Sequence, residues 1–292
     1  MRIVSLLPGA TEILCALGLR DNLVGVSHSC DFPESVKQLP RVTSTTVPYQ
    51  SSSQVIDAFV TESIADSQAL YHVDWEKLGS LEPDVIVSQA LCDVCAVSGA
   101  EVDARLDDIT SGPRLVNLEP VSLEDIFSCI KRVADVCQVP EAGEALLANL
   151  QSRVADVTAA GRALPRQPRV MLVEWLDPPF VSGHWNPELV QLAGGEEPFA
   201  NTGKPAYGAS WREVMKAKPE ALAIACCGFD ESHTQADLNL LAENPDFAAV
   251  SERVAGRIRV FDGDALFNRP GPRIVDSLEQ LHQFIAEVAA MA

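Results

Sequence analysis

Histidine and cysteine side chains in this chain collect where short apolar runs end. Cys92-Asp93-Val94-Cys95 is a C-x-x-C turn whose spacing suits two thiolates on one metal ion or a redox dithiol, and equally a pair of buried structural thiols. His28 and Cys30 follow an earlier apolar run and can add two further ligands. Cys227 is the better placed of the adjacent pair Cys226-Cys227, because Gly228 lets the chain bend immediately after it. Such mixed nitrogen and sulfur donors suit zinc, iron or an iron–sulfur centre.

A second set suits a flat organic molecule. Trp175 and Trp185 can wall it, and His184, behind Pro178-Pro179-Phe180-Val181-Ser182-Gly183, can ligate or exchange a proton. Glu12, Asp177 and Asp230 can accept from amides or meet cationic groups. The structural alternative packs both tryptophans across an interface and uses His184 to close a helix. His72 and His233 read as surface or capping residues, His282 as part of the terminal helix, and Cys15, Cys129 and Cys137 as core thiols within helical patterns.

Motifs for catalysis are missing. The chain contains no G-x-x-x-x-G-K-[ST], G-x-G-x-x-G or G-x-S-x-G sequence. Binding is the leading expectation. The alternatives are a metal- or iron–sulfur-dependent enzyme or chaperone built on the His/Cys cluster, and a partner-binding module.

The elements that must position these residues alternate. Strands are expected at residues 3–7, 23–26, 84–88, 114–118, 169–174, 221–225 and 257–261. Helices are expected after Pro8-Gly9 with Thr11 as a cap, from Trp75, over 101–110, over 186–193 and 210–217, and from Pro272 to the end. Gly18 reads as a helix C-cap. Ser122-Leu123-Glu124-Asp125 opens a long helical segment that Pro140 divides or restarts. The pattern predicts an α/β chain with two Rossmann-like lobes of mainly parallel strands: an amino-terminal lobe over 1–120, a helical bridge over 121–164 and a carboxyl-terminal lobe over 165–292. Ligands of open parallel sheets sit beyond the carboxyl ends of the strands, which makes the cleft between the lobes the expected site and brings Gln89 into it.

The 22 basic and 41 acidic residues give a net charge of -19, which disfavours nucleic acid and anionic lipid and leaves a basic protein surface as a possible partner. No apolar run is long enough to span a membrane. With no leader-like segment after Met1, the expectation is a cytoplasmic protein with reduced cysteines, acting as a monomer.

The ordered motifs resemble a known family. Ser5-Leu6-Leu7-Pro8-Gly9-Ala10-Thr11-Glu12 with Ala16-Leu17-Gly18, Gly25-Val26-Ser27, Asp31-Phe32-Pro33, and Leu81-Glu82-Pro83-Asp84-Val85-Ile86-Val87 are similar to the first half of the cobalamin and iron-siderophore substrate-binding proteins of ABC importers. Pro179-Phe180-Val181-Ser182-Gly183, Ala193-Gly194-Gly195 and Arg273-Ile274-Val275 match their second half. The resemblance implies noncatalytic binding of a cobalamin-like corrinoid, or a related metal-containing molecule, between two lobes joined by one long helix. Around Phe180 and Tyr207-Gly208-Ala209-Ser210-Trp211-Arg212-Glu213 the likeness is to the vitamin B12-binding members. It implies Tyr207 as a cleft aromatic, and Glu101 and Glu213 as acidic positions that dock a basic permease. The missing leader suggests a signal-less cytosolic branch.

Overall fold

Runs of apolar residues too short for helices form the middle of two sheets. A computed structural model describes residues 1–89 and 99–291. The first half runs β1 (Ile3–Ser5), α1 (Pro8–Ala16), β2 (Leu23–Val26), β3 (Thr43–Thr45), α2 (Ser53–Ala65), β4 (Tyr71–Val73), α3 (Trp75–Ser80), β5 (Val85–Gln89), α4 (Gly99–Asp103) and β6 (Arg114–Leu118). Helices α5 (Leu123–Val136) and α6 (Pro140–Arg162) follow. The second half is β7 (Val170–Leu176), β8 (Pro179–Val181), α7 (Asn186–Leu192), β9 (Tyr207–Gly208), α8 (Trp211–Ala217), β10 (Ala221–Ile224), α9 (Glu231–Leu241), α10 (Pro245–Val254), β11 (Ile258–Val260) and α11 (Ile274–Ala290).

The first sheet has the order β2-β1-β5-β6 and is wholly parallel. The second has the order β11-β10-β7-β8-β9, with β11, β10 and β7 parallel and β8 and β9 added antiparallel at one edge. Side chains alternate along a strand, so a sheet covered on both faces must be apolar at successive positions. That is the pattern here. Ile3, Val85, Val87, Leu172 and Ala223 enter one core, while Val4, Ile86, Met171, Val173 and Ile224 enter the other.

Ser122 caps α5 by accepting from the Asp125 amide, and Pro140 starts α6 at its first position, where the missing N–H costs nothing. At 23 residues α6 is about 35 Å long. It packs on α5, α7 and α11, and so ties the two sheets together.

Several expectations change. Proline at the first position of α1 starts that helix earlier than a Thr11 cap would, with Leu7 as the preceding residue. Thr11 lies inside the helix, where its hydroxyl meets Ser5 Oγ at 2.8 Å. The helix over 101–110 reduces to α4 and a short 3₁₀ turn at Leu106–Asp108. The β3–β4 ribbon, α2, α9 and α10 carry weaker periodicity and were not anticipated; α2 and α9 prove central to the site.

Candidate interlobe binding site

The carboxyl end of β2 presents His28. Its backbone N–H donates to Thr43 Oγ1 at 2.9 Å, and its Nδ1 lies 2.8 Å from the same oxygen. The imidazole stacks on Tyr71 with ring centroids 5.8 Å apart, and the Tyr71 hydroxyl bonds that of Tyr49 at 2.6 Å. Burial, reinforced by Arg41, lowers the His28 pKa, so the ring is neutral at pH 7. Nε2 is buried without a partner among the described residues.

Across from Tyr49 lies the second half. Gly228 has φ +76°, and a Cβ there would stand 3.0 Å from Tyr49 Cε1, so only glycine gives both this turn and room for the ring. Phe229 is wholly buried between Trp175, 5.0 Å away, and His233, stacked at 3.7 Å. Three hydrogen bonds then cross between the halves. Trp175 Nε1 donates to the Ser53 carbonyl at 3.2 Å, His233 Nε2 to the Ser51 carbonyl at 3.0 Å, and the Ser53 N–H to both oxygens of Asp237 at 3.2 Å.

A second crossing is ionic. Arg269, only 5% exposed, pairs with Glu12 Oε1 at 3.3 Å, Asp31 at 2.5 Å and Asp264 at 2.8 Å. Arg273 grips Glu12 with two donors, at 2.9 and 2.6 Å, and covers the Phe32 ring at 4.0 Å. Burial alone would lower the Arg269 pKa; Asp264, Asp31 and Glu12 outweigh it and raise the value. Glu12 is therefore committed to arginines at the base of the site and is not free to meet an amide.

Among the described residues, His28, Cys30 and Cys227 form no metal cluster with one another, and no group of three or more His, Cys, Asp or Glu side chains can hold a metal ion. Cys30 is buried, its thiol 3.0 Å from Thr11 Oγ1 and 3.1 Å from Ser27 Oγ, and burial raises its pKa. Cys227 is half-buried and its N–H bonds the Glu174 carbonyl at 3.0 Å, while Cys226 is fully buried. His28, Cys30 and Cys227 thus serve separate surroundings, and Cys92 and Cys95 lie outside the described residues.

The aromatic set divides. Trp175 faces the first half, but Trp185 is core, 4% exposed, with Nε1 donating to the Phe267 carbonyl at 2.9 Å. Phe180 pairs with Gly208 across the β8–β9 ladder, and Tyr207 beside it is exposed. His184 takes a left-handed backbone, φ 52°, and its N–H donates to the Lys204 carbonyl at 2.6 Å; burial lowers the ring's pKa. Beneath it Glu174 accepts from the Gly183 N–H and Asn186 Nδ2, both at 2.9 Å, and Glu197 accepts from the Phe199 and Ala200 amides. Burial pushes both carboxyls up to about 7.

Asp230 is occupied as the cap of α9, accepting from the His233 N–H at 2.7 Å. Asp177 stands near the interlobe crossing, its pKa raised by burial and by Asp237. Gln89 is the buried last residue of β5. Glu101 is exposed on α4, and exposed Glu213 closes a capping box with Ser210 at the start of α8.

Two cavities, of about 300 and 500 Å³, lie along α6, α7 and the 194–200 loop. They share Gln167 and Gln191 and include none of the residues at the interlobe crossing. What meets there is Tyr49, Ser51 and Ser53 on one side and Trp175, Gly228, His233 and Asp237 on the other.

The periplasmic binding protein family model matches residues 3–262. The chain belongs to that family. This periplasmic binding protein is 28% identical over 291 residues to the vitamin B12-binding protein of Yersinia pestis, covering 98% of this chain and 87% of the relative. Its fold matches a possible iron-binding periplasmic solute-binding protein of Staphylococcus epidermidis with a TM-score of 0.73 at 21% identity, covering 97% of this chain and 98% of that one. It also matches a periplasmic heme-binding protein of Roseiflexus with a TM-score of 0.72 at 23% identity, over 99% and 98% of the two chains.

Membership overturns the expectation of a cytoplasmic protein: the family is periplasmic. The argument for thiols from a reducing compartment falls with it, although Cys15, Cys30, Cys129, Cys137, Cys226 and Cys227 are free thiols. Among the described residues no helix is long and apolar enough to cross a membrane. As a family member the protein binds a small molecule rather than transforming one.

Tyr49, Tyr71, Phe229, His233 and Asp237 were missed as site residues. Phe229 lay in the loop after the expected strand 221–225, a signal that could have found it. Asp237 and Tyr49 belong to segments with no strand to follow, and only packing brings them to the site.

Proposed function

We propose that this periplasmic binding protein is a noncatalytic receptor for a cobalamin-like corrinoid, or a related metal-containing small molecule, held between the two sheets and delivered to an ABC importer. The observation that carries the reading is the interlobe face itself. Gly228 follows the carboxyl end of β10, where ligands of parallel sheets gather, and the Tyr49 ring of the first half packs on it, while half-buried Trp175 and His233 flank the buried Phe229 and add aromatic surface suited to a flat macrocycle. The vitamin B12-binding relatives support the corrinoid over other cargo.

His28 supports a metal-containing cargo. In the tautomer whose Nδ1–H donates to Thr43, the Nε2 of a neutral imidazole, without a partner among the described residues, keeps its lone pair for a metal centre. Trp175, Phe180 and Tyr207 supply apolar contact, and Gln89 and Asp177 accept from or donate to carboxamides. The segments 1–120, 121–164 and 165–292 act as lobe, bridge and lobe. Exposed Glu101 and Glu213 meet a basic permease surface.

Titration with cyanocobalamin, followed by calorimetry and the visible spectrum, tests the cargo. We expect saturable binding, weakened about tenfold in Trp175→Ala and again in Tyr207→Ala. Hemin and a ferric siderophore serve as comparators. Binding of either of these with no response to any corrinoid would overturn the corrinoid assignment.

A further inference from the structure

The geometry points to a latch: residues 49–53, at the entry to α2, hold the interlobe face shut, and cargo reaches it once their hydrogen bonds to the second half break. The bonds are those of Trp175 to Ser53, His233 to Ser51 and Ser53 to Asp237. Two of them satisfy groups that the segment's own fold leaves open, the Ser53 N–H and the Ser51 carbonyl, and the third adds the Trp175 indole N–H to the Ser53 carbonyl. The Ser53 N–H belongs to the first turn of α2 and has no partner within the helix; the Ser52 hydroxyl serves Val55 instead. Asp237, 5% exposed, takes it from the other half and sets a negative charge at the positive end of the helix. The Ser51 carbonyl precedes the helix and accepts from His233, which fixes the proton of that ring on Nε2.

The segment is rooted in the first half through Tyr49, whose hydroxyl bonds Tyr71. It rests on the second half where Gly228 leaves room for its ring. On opening, water replaces all three bonds, so their net hold is modest and the latch is reversible. Like charge works against it as well. Burial and Asp177 raise the Asp57 pKa, and burial and Asp237 raise that of Asp177, which places three carboxylates around one closure. The attraction is local and directional; the repulsion acts through space. Such a contact sits near balance.

This gating role rests on the reading that cargo lies between the sheets, whereas the latch itself is tested without cargo. Hydrogen exchange by mass spectrometry on the full chain compares the wild type with His233→Phe and Ser53→Pro. Phenylalanine keeps a ring on Phe229 and removes the N–H donor. Proline removes the Ser53 N–H at a first-turn position it tolerates, after a Ser52 whose backbone is already extended at φ -66°, ψ 160°. Unchanged protection of β1 and β5 shows that each variant is folded.

We expect each change to be read in the opposite half, with about fivefold faster exchange at residues 49–57 in His233→Phe and at 228–238 in Ser53→Pro. Loosening confined to the mutated half, or none in either, would overturn the latch. Cyanocobalamin should associate faster in both variants by a similar factor; equal association rates in all three proteins would overturn the gating.

Discussion

Arg273 holds Glu12 in a two-pronged grip, Nε to Oε2 at 2.9 Å and Nη2 to Oε1 at 2.6 Å, and so joins the start of α11 to the middle of α1 in the other half of the molecule. Arg269 shares Glu12 and adds Asp31 and Asp264. Removing one partner of a buried ion group leaves charge uncompensated, at a cost of about 3–5 kcal/mol. Arg269 is 5% exposed and Arg273 20%, so Arg269→Ala should be the more destabilising in urea unfolding. Equal or reversed losses would show that solvent, rather than the protein, compensates the carboxylates.

Gly9 lies in the first turn of α1, where alanine would ordinarily favour the helix by up to about 1 kcal/mol. A Cβ there would stand 2.7 Å from the Pro270 carbonyl oxygen, a backbone atom of the second half. Gly9→Ala should therefore destabilise, by about 1–3 kcal/mol. A raised thermal midpoint would mean that the two halves part easily at this contact.

Glu174 and Glu197 give the protein a pH dependence of definite sign. Burial pushes both carboxyls up to about 7 from an ordinary 4.5, so the folded state holds protons that the unfolded chain has released. Their unfavourable contribution is absent below about pH 4.5, grows as pH rises and is complete above about 7, on the order of 3 kcal/mol for each carboxyl. Denaturant midpoints measured from pH 5 to 8 should fall on this account. The slope should flatten in Glu174→Gln and Glu197→Gln, and an unchanged slope in both would assign the dependence elsewhere.

Glu213 has two separable roles. It closes the Ser210 capping box, and its exposed carboxylate is available to a basic partner. Glutamine preserves the box, alanine breaks it. Glu213→Gln should leave the thermal midpoint unchanged and weaken association with a detergent-solubilised importer, whereas Glu213→Ala should lower both. If Glu213→Gln binds the importer like the wild type, the charge is not a docking contact.

Much of the fold is legible in single segments. The strand at 114–118, the cap at Ser122, the restart at Pro140 and the left-handed Gly18 each follow from residues a few positions apart, and each stands where that chemistry places it. The site is less so. Trp175 and Trp185 look alike in sequence, both flanking the Pro178–Gly183 stretch, yet one donates across the two halves and the other into its own core. His233 read as a surface residue because its partners, Phe229 excepted, are far away in sequence.

Periodicity, capping and turn chemistry are local properties, so the amino-acid order alone sufficed for an α/β chain of two sheets and for the helix pair between them. Which side chains face one another across the halves depends on contacts 122 to 261 residues apart, such as Trp175 with Ser53 and Arg273 with Glu12. No local preference encodes such pairs. They exist only after both cores have packed and set the halves at one angle, and that packing turns Glu12 and Asp230 into structural ties and makes Ser51, Ser53, His233 and Asp237 the residues of the closure.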